Sequence, residues 1–284
     1  MNIAIIGLGL IGGSVCKAIK KYTNYKCFGL DTNPAVISNA LADKSIDKNI
    51  SPDNLCDLNE MDIVIICLYP KQIIEFATEN IKKFKKNSVV IDAGGIKTEI
   101  CEKLYPVFLD SGVDFIGAHP MAGREFSGYD YSTAELFANA SFIVTPYPET
   151  LYKNPEKIKI IEDLTKKIGF GKFVVTNPHD HDRIIAYTSQ LAHIVSNAYV
   201  KSPTIENKTG FSAGSFLDLT RVAKLNEEMW SSLMLANRDF LVYELRNIIE
   251  NLTEYLQSLE NNDKNYLYNL LKDGRIIKEK SEGK

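Results

Sequence analysis

Along the first half of the chain, short apolar runs alternate with stretches in which apolar residues recur every three or four positions. The runs NIAII (2–6), KCFGLD (26–31), DIVIICL (62–68), SVVIDA (88–93) and VDFIGA (113–118) are rich in Ile, Val and Phe and bounded by Gly, Asp or Pro. Such runs predict strands buried on both faces. Stretches 11–21, 34–42, 71–84 and 97–109 carry helical spacing. The alternation predicts an α/β fold with a Rossmann-type doubly wound sheet. SFIVTP (141–146) closes this half, and YPETLYKNP (147–155) reads as a link. A helix over 152–168 and the strand KFVVT (172–176) follow. After Asn177 strand signals stop and long helices run to about residue 272, with a polar tail behind them. The pattern divides the chain into a nucleotide-binding domain (1–150), a connecting helix and strand (151–177) and an all-helical domain (178–284).

Composition narrows the class. The chain has 284 residues with 45% apolar and 24% charged content, ordinary values for a globular protein. A net charge of -3 offers no basic face for nucleic acid. No apolar run reaches the roughly 20 residues that span a bilayer. Five cysteines, an odd count with no CxxC pair, suit a reducing, cytoplasmic compartment.

The first strand leads into GLGLIGGS (7–14), which sets Gly7, Gly9 and Gly12 in G-x-G-x-x-G order between a strand and a helix. In that context Gly7 makes the tight turn, Gly9 admits a pyrophosphate and Gly12 lets helix and strand pack. Leu10 and Ile11 begin the helix whose N-terminus faces the phosphates. The second strand ends at Asp31, an acid placed to bind ribose hydroxyls and repel a 2′-phosphate, which favours NAD over NADP. Ligands of open α/β sheets bind beyond the carboxyl ends of the strands. That makes CLYP (67–70, with Leu68), DAGGIKT (92–98) and GAHPMAGRE (117–125) candidate site segments.

In the last of these, His119 ends a strand and is framed by Pro120 and Gly123. An imidazole there suits a base that takes a hydroxyl proton while a hydride leaves, with an ordinary titration near pH 6–7. The bland alternative is a capping or packed histidine. Gln190, His193 and Asn197 share one helix face, either lining a cleft or hydrogen-bonding inside a helical core. Arg221 either clamps a carboxylate or pairs with Asp218 on a surface. TNPHDHD (176–182) is read as helix initiation rather than a metal site, with Asn177 as cap, Pro178 at the first position and Asp180 in the first turn.

These segments, with LFANA (136–140), HDRIIAYTSQLAH (181–193), LTRVA (219–223) and MW (229–230), resemble the prephenate/arogenate dehydrogenase family of tyrosine biosynthesis over nearly the whole chain. The resemblance implies NAD-dependent oxidative decarboxylation of prephenate. His119 would accept the ring hydroxyl proton, His193 and Gln190 would contact substrate, Arg221 would hold a carboxylate, and the helical domain would form a homodimer. Two positions depart from the family pattern. Gly95 stands where the family usually has a serine that positions the histidine, a role open to a neighbour such as Lys97 or Thr98. Leu217 stands where a basic residue is frequent, which shifts carboxylate binding toward Arg221 or Arg124. Three rival readings stay open. Arogenate is an alternative substrate, and a β-hydroxyacid dehydrogenase would need a catalytic lysine that the helical half does not offer. A dinucleotide sensor with a degenerate site is the third.

Overall fold

The computed structural model describes residues 1–124 and 126–283. Glu125, the last residue of GAHPMAGRE, and Lys284 lie outside them. One sheet organises the first part: β1 (Asn2–Ile6), β2 (Lys26–Leu30), β3 (Lys48–Asn49), β4 (Ile63–Ile66), β5 (Val89–Asp92), β6 (Asp114–Pro120), β7 (Ser141–Pro146) and β8 (Lys172–Val175). Its spatial order is β3-β2-β1-β4-β5-β6-β7-β8. Strands β1 to β6 are parallel, β7 runs antiparallel to β6, and β8 is parallel to β7. The connecting segment therefore finishes the sheet, because β8 is its edge strand. The two-residue strand β3 carries no apolar run and is invisible in the hydrophobic pattern.

The crossover helices α1 (Leu10–Tyr22), α2 (Pro34–Ala42), α3 (Pro70–Asn80) and α4 (Thr98–Phe108) cover the two faces. They divide the core into two apolar layers, one around Ile3, Ile5, Ile65 and Ile91, the other around Ala4, Ile6, Val64 and Val90. Alternate residues of each strand enter opposite layers, as the pleat requires. The stretch expected as link and helix forms α5 (Pro148–Lys153) and α6 (Pro155–Lys167). The break falls at Asn154, where the following proline disfavours helical backbone.

Beyond Asn177 come α7 (Pro178–Ile185), a π-helical turn (Ala186–Leu191), α8 (Ala192–Tyr199), α9 (Gly214–Thr220), α10 (Glu227–Ala236), α11 (Arg238–Glu260) and α12 (Lys264–Ser281). Asn177 caps α7 by accepting the Asp180 N–H at 2.8 Å. The helices hold one another partly through buried polar groups. Asn237 donates to Gln190 Oε1 at 2.8 Å and to the Asp182 carbonyl at 2.9 Å. Removing that amide strands two acceptors. Asn237→Ala is expected to lower the unfolding free energy by about 1–3 kcal/mol in chemical denaturation; a loss under about 0.5 kcal/mol would show that the tie carries no stability.

Candidate active site

The carboxyl ends of β1, β2, β4, β5 and β6 bring five sequence segments to one edge of the sheet. Gly7 adopts a φ of 87°, and a Cβ there would stand 2.7 Å from the Cys67 carbonyl oxygen and 2.8 Å from a Leu68 methyl. A Cβ at Gly12 would lie 1.9 Å from the Gly7 oxygen. At Gly9 a Cβ would meet nothing within 4 Å. So two glycines are required by packing, and the middle one faces open space at the start of α1. That helix has no side-chain cap, and Leu10 and Ile11 are half-buried in its first turn. Backbone N–H groups at such an end suit an anion. Asp31 sits beside the loop, its carboxylate accepting N–H groups of Leu8 and Asn33 at 2.8 Å each. The remaining lone pairs suit ribose hydroxyls. These features fit a dinucleotide.

Next along the edge is a buried charged knot. Lys97 is 0% exposed and ion-paired with the equally buried Asp92. Its ammonium also donates to the Ala118 carbonyl at 2.7 Å, while Asp92 accepts the Ala118 N–H at 2.9 Å. Both polar groups of the residue before His119 are thereby fixed. His119 itself is half-buried at the end of β6. Its Nδ1 lies 2.9 Å from Nε2 of His181, whose Nδ1 lies 2.7 Å from the Asp182 carboxylate. Asp182 also accepts the Lys97 and Thr98 N–H groups at 2.7 Å each, capping α4 from the helical part of the chain.

The electrostatics follow from burial and neighbours. Burial, then His181 and Lys97, hold the His119 pKa well below its ordinary value of 6.5, with Asp182 opposing. The His181 pKa is lowered, chiefly by burial, against the opposing pull of Asp182. Burial pushes the Asp182 carboxyl up, but hydrogen bonds from His181 and Thr98 outweigh it and leave the pKa lowered. Both imidazoles are therefore neutral near pH 7 and Asp182 is ionised. A neutral His119 is ready to accept a proton.

The structure revises part of the sequence reading. Helix initiation accounts for Asn177, Pro178 and Asp180, but His181 and Asp182 do more than start a helix: His181 meets His119 and Asp182 holds His181. Lys97, named as a neighbour able to fill the role left by Gly95, holds the strand end below His119. Gln190 is 2% exposed, and its amide bonds Asn237 and, at 3.3 Å, the Leu233 carbonyl. The helical-core alternative fits it, and the substrate-contact role given to Gln190 is withdrawn. Asn197 likewise donates to the Ala223 carbonyl at 3.0 Å. His193 belongs to the same stripe but keeps a half-buried ring, bonded through Nδ1 to the Ser189 carbonyl at 2.8 Å and packed at a 30° tilt against Trp230, ring centroids 4.1 Å apart. One helical turn on from Trp230, Leu233 leans over Gly95, where a Cβ would find it at 3.7 Å. Helix α10 therefore bridges His193 and the β5 end. Arg221, at the end of α9, and Arg124, after β6, are both exposed. The cysteines are free thiols; burial pushes Cys67 up to about 12.

Comparison with known proteins settles the family. Residues 15–175 match the model "prephenate dehydrogenase, nucleotide-binding domain", and 177–273 match "prephenate dehydrogenase, dimerization domain". The chain belongs to the prephenate dehydrogenase family. It is 28% identical to the cyclohexadienyl dehydrogenase of Zymomonas mobilis, over 96% of this chain and 94% of that one. It is 28% identical to the prephenate dehydrogenase of Bacillus subtilis, over 96% of this chain and 74% of that one. The crystal structure of Synechocystis arogenate dehydrogenase superposes with a TM-score of 0.82 at 25% identity, covering 99% of this chain and all of the other. The glycine loop lies just ahead of the first matched segment, so its assignment rests on its own geometry.

That geometry separates two similar substitutions. Gly9→Ala is expected to leave the melting temperature within about 2 °C and weaken dinucleotide binding at least about tenfold, or about 1.4 kcal/mol. Gly12→Ala should lower the melting temperature as well. Unchanged NAD affinity in Gly9→Ala, read by fluorescence titration, would contradict the pyrophosphate site.

Proposed function

We propose that the protein is an NAD-dependent prephenate dehydrogenase that oxidatively decarboxylates prephenate to 4-hydroxyphenylpyruvate. The observation that carries this reading is a neutral, held histidine at the mouth of a dinucleotide cleft, in a chain of this family. NAD held by the Gly7–Gly12 turn and Asp31 would supply the acceptor for the hydride of ring C4. His119 takes the proton of the C4 hydroxyl as that carbon becomes a carbonyl. The C1 carboxylate leaves as CO₂, its electrons aromatise the ring, and the phenolate recovers the proton from His119. Aromatisation drives the reaction, so the chain's work is positioning and charge placement. Arg221, at the end of α9, and Arg124, after β6, are exposed cations and the candidates for the substrate carboxylates, and His193 for its side chain. Arogenate differs only in that side chain and is the close alternative, which the likeness to an arogenate dehydrogenase keeps in play.

The protein acts as a homodimer in this reading. Large apolar side chains stand exposed along α11 and α12, among them Ile249, Leu252, Leu256, Leu259 and Leu271. A monomer rarely exposes such a stripe, and a second copy would cover it. None of the described helices is long and apolar enough to cross a membrane, and a cytoplasmic location suits the free thiols.

Two measurements test the chemistry. NADH formation from NAD with prephenate should exceed NADPH formation from NADP, and no turnover of either prephenate or arogenate would leave the sensor reading. His119→Asn should lower kcat by about 10²–10⁴-fold while NAD binding survives. The base must be unprotonated to act, so activity falls as pH drops through the His119 pKa. Because that pKa is depressed, the acid limb of kcat/KM should lie below the ordinary value of 6.5. A limb at or above 6.5, or one that persists in His119→Asn, would remove His119 from the role.

A further inference from the structure

We propose that His181 and Asp182 are positioning residues that fix the tautomer of His119, so that Nε2 of His119 is the atom that accepts the substrate proton. The inference rests on the reading of His119 as the base. Asp182 is a carboxylate and can only accept, so the His181 Nδ1 at 2.7 Å must carry a proton. Neutral His181 then has a bare Nε2. That lone pair, 2.9 Å from His119 Nδ1, requires Nδ1 to be the N–H of His119. The only nitrogen of His119 left without a proton is Nε2.

The logic is that of a carboxylate holding an imidazole in one tautomer, here passed through a second imidazole. The anchor is firm, because Asp182 is itself held by the N–H groups of Lys97 and Thr98 at the start of α4. Other charged groups packed around the pair are Lys97 and Asp92 at the end of β5, which form their own ion pair. The DAGGIK turn offers no side chain to His119 at Gly95, whose Cβ position meets only Leu233. Among the described residues, the polar partner of the His119 ring is His181.

Asp182→Asn reverses the chain of donors. With its NH₂ in place of Oδ1 it donates to His181 Nδ1, its oxygen still accepts the Thr98 N–H, and the Lys97 N–H loses its acceptor. His181 then carries its proton on Nε2, and His119 is forced to the Nε2–H form, which cannot accept a proton. The test is ¹⁵N NMR of the histidine rings in the intact protein without substrate, together with steady-state kinetics. The wild type should show His119 protonated at Nδ1, and Asp182→Asn should show it at Nε2 with kcat lowered about 10²–10⁴-fold and KM changed less than about threefold. In His181→Gln the side-chain carbonyl still accepts from His119 Nδ1, so the tautomer should be kept and activity should fall less than in Asp182→Asn. Adding Asp182→Asn to His181→Gln should then cost much less than it does alone. A wild-type His119 protonated at Nε2, or an Asp182→Asn kcat within about threefold of wild type, would overturn the inference. If Asp182→Asn fails to fold, the wild-type tautomer and the His181→Gln kinetics still decide it. An Nδ1–H tautomer in a protein that turns over neither prephenate nor arogenate would sink the functional reading and leave the relay standing.

Discussion

The buried ion pair between Asp92 and Lys97 is the constraint on which the candidate site depends. Charges taken fully out of water are costly unless paired and hydrogen-bonded, and removing one partner typically costs about 3–5 kcal/mol. Here the pair satisfies itself on backbone. Asp92 accepts the Gly94 and Ala118 N–H groups, and Lys97 donates to the Ala118 carbonyl. The β5–β6 ladder ends at Ile91 and Ile116, so these bonds hold β6 to the end of β5 just before His119, which stays paired with Ile143 of β7. The same ammonium helps keep His119 neutral, which joins stability and chemistry in one group.

The site is also shared between two parts of the chain. The sheet supplies the glycine loop, Asp31 and His119. The helical part supplies His181 and Asp182 from the start of α7, and Leu233 over Gly95. Asp182 is the junction, because its Oδ1 meets both His181 and the Lys97 N–H while its Oδ2 accepts the Thr98 N–H at the start of α4. The contacts that join the helical part to the sheet part therefore include the His119 ring itself.

Much of this was legible in the sequence because it is locally encoded. Glycine spacing after a strand, an acid following the second strand, and the Asn177-Pro178 helix start are each encoded within a few residues, and the structure has the turn, the acid beside it and the cap in those places. His181 was hidden for the opposite reason. Its contact with His119 spans 62 positions, and the capping signals around it offered a sufficient local explanation. Gln190 misled in a related way: periodicity puts it on one face with His193 but cannot say whether that face meets a ligand or a neighbouring helix. Both answers occur on the same stripe. The strand β3 and the antiparallel turn of β7 depend on tertiary pairing, to which the apolar pattern is blind.

The most direct test of the account is a crystal structure of the protein with NAD and a non-reactive hydroxyphenyl analogue of the substrate. The account predicts Nε2 of His119 within hydrogen-bond reach of the ring hydroxyl, roughly 2.6–3.2 Å, with His181 still on Nδ1. A hydroxyl bound instead to His193 or an arginine, with His119 more than one water away, would contradict it.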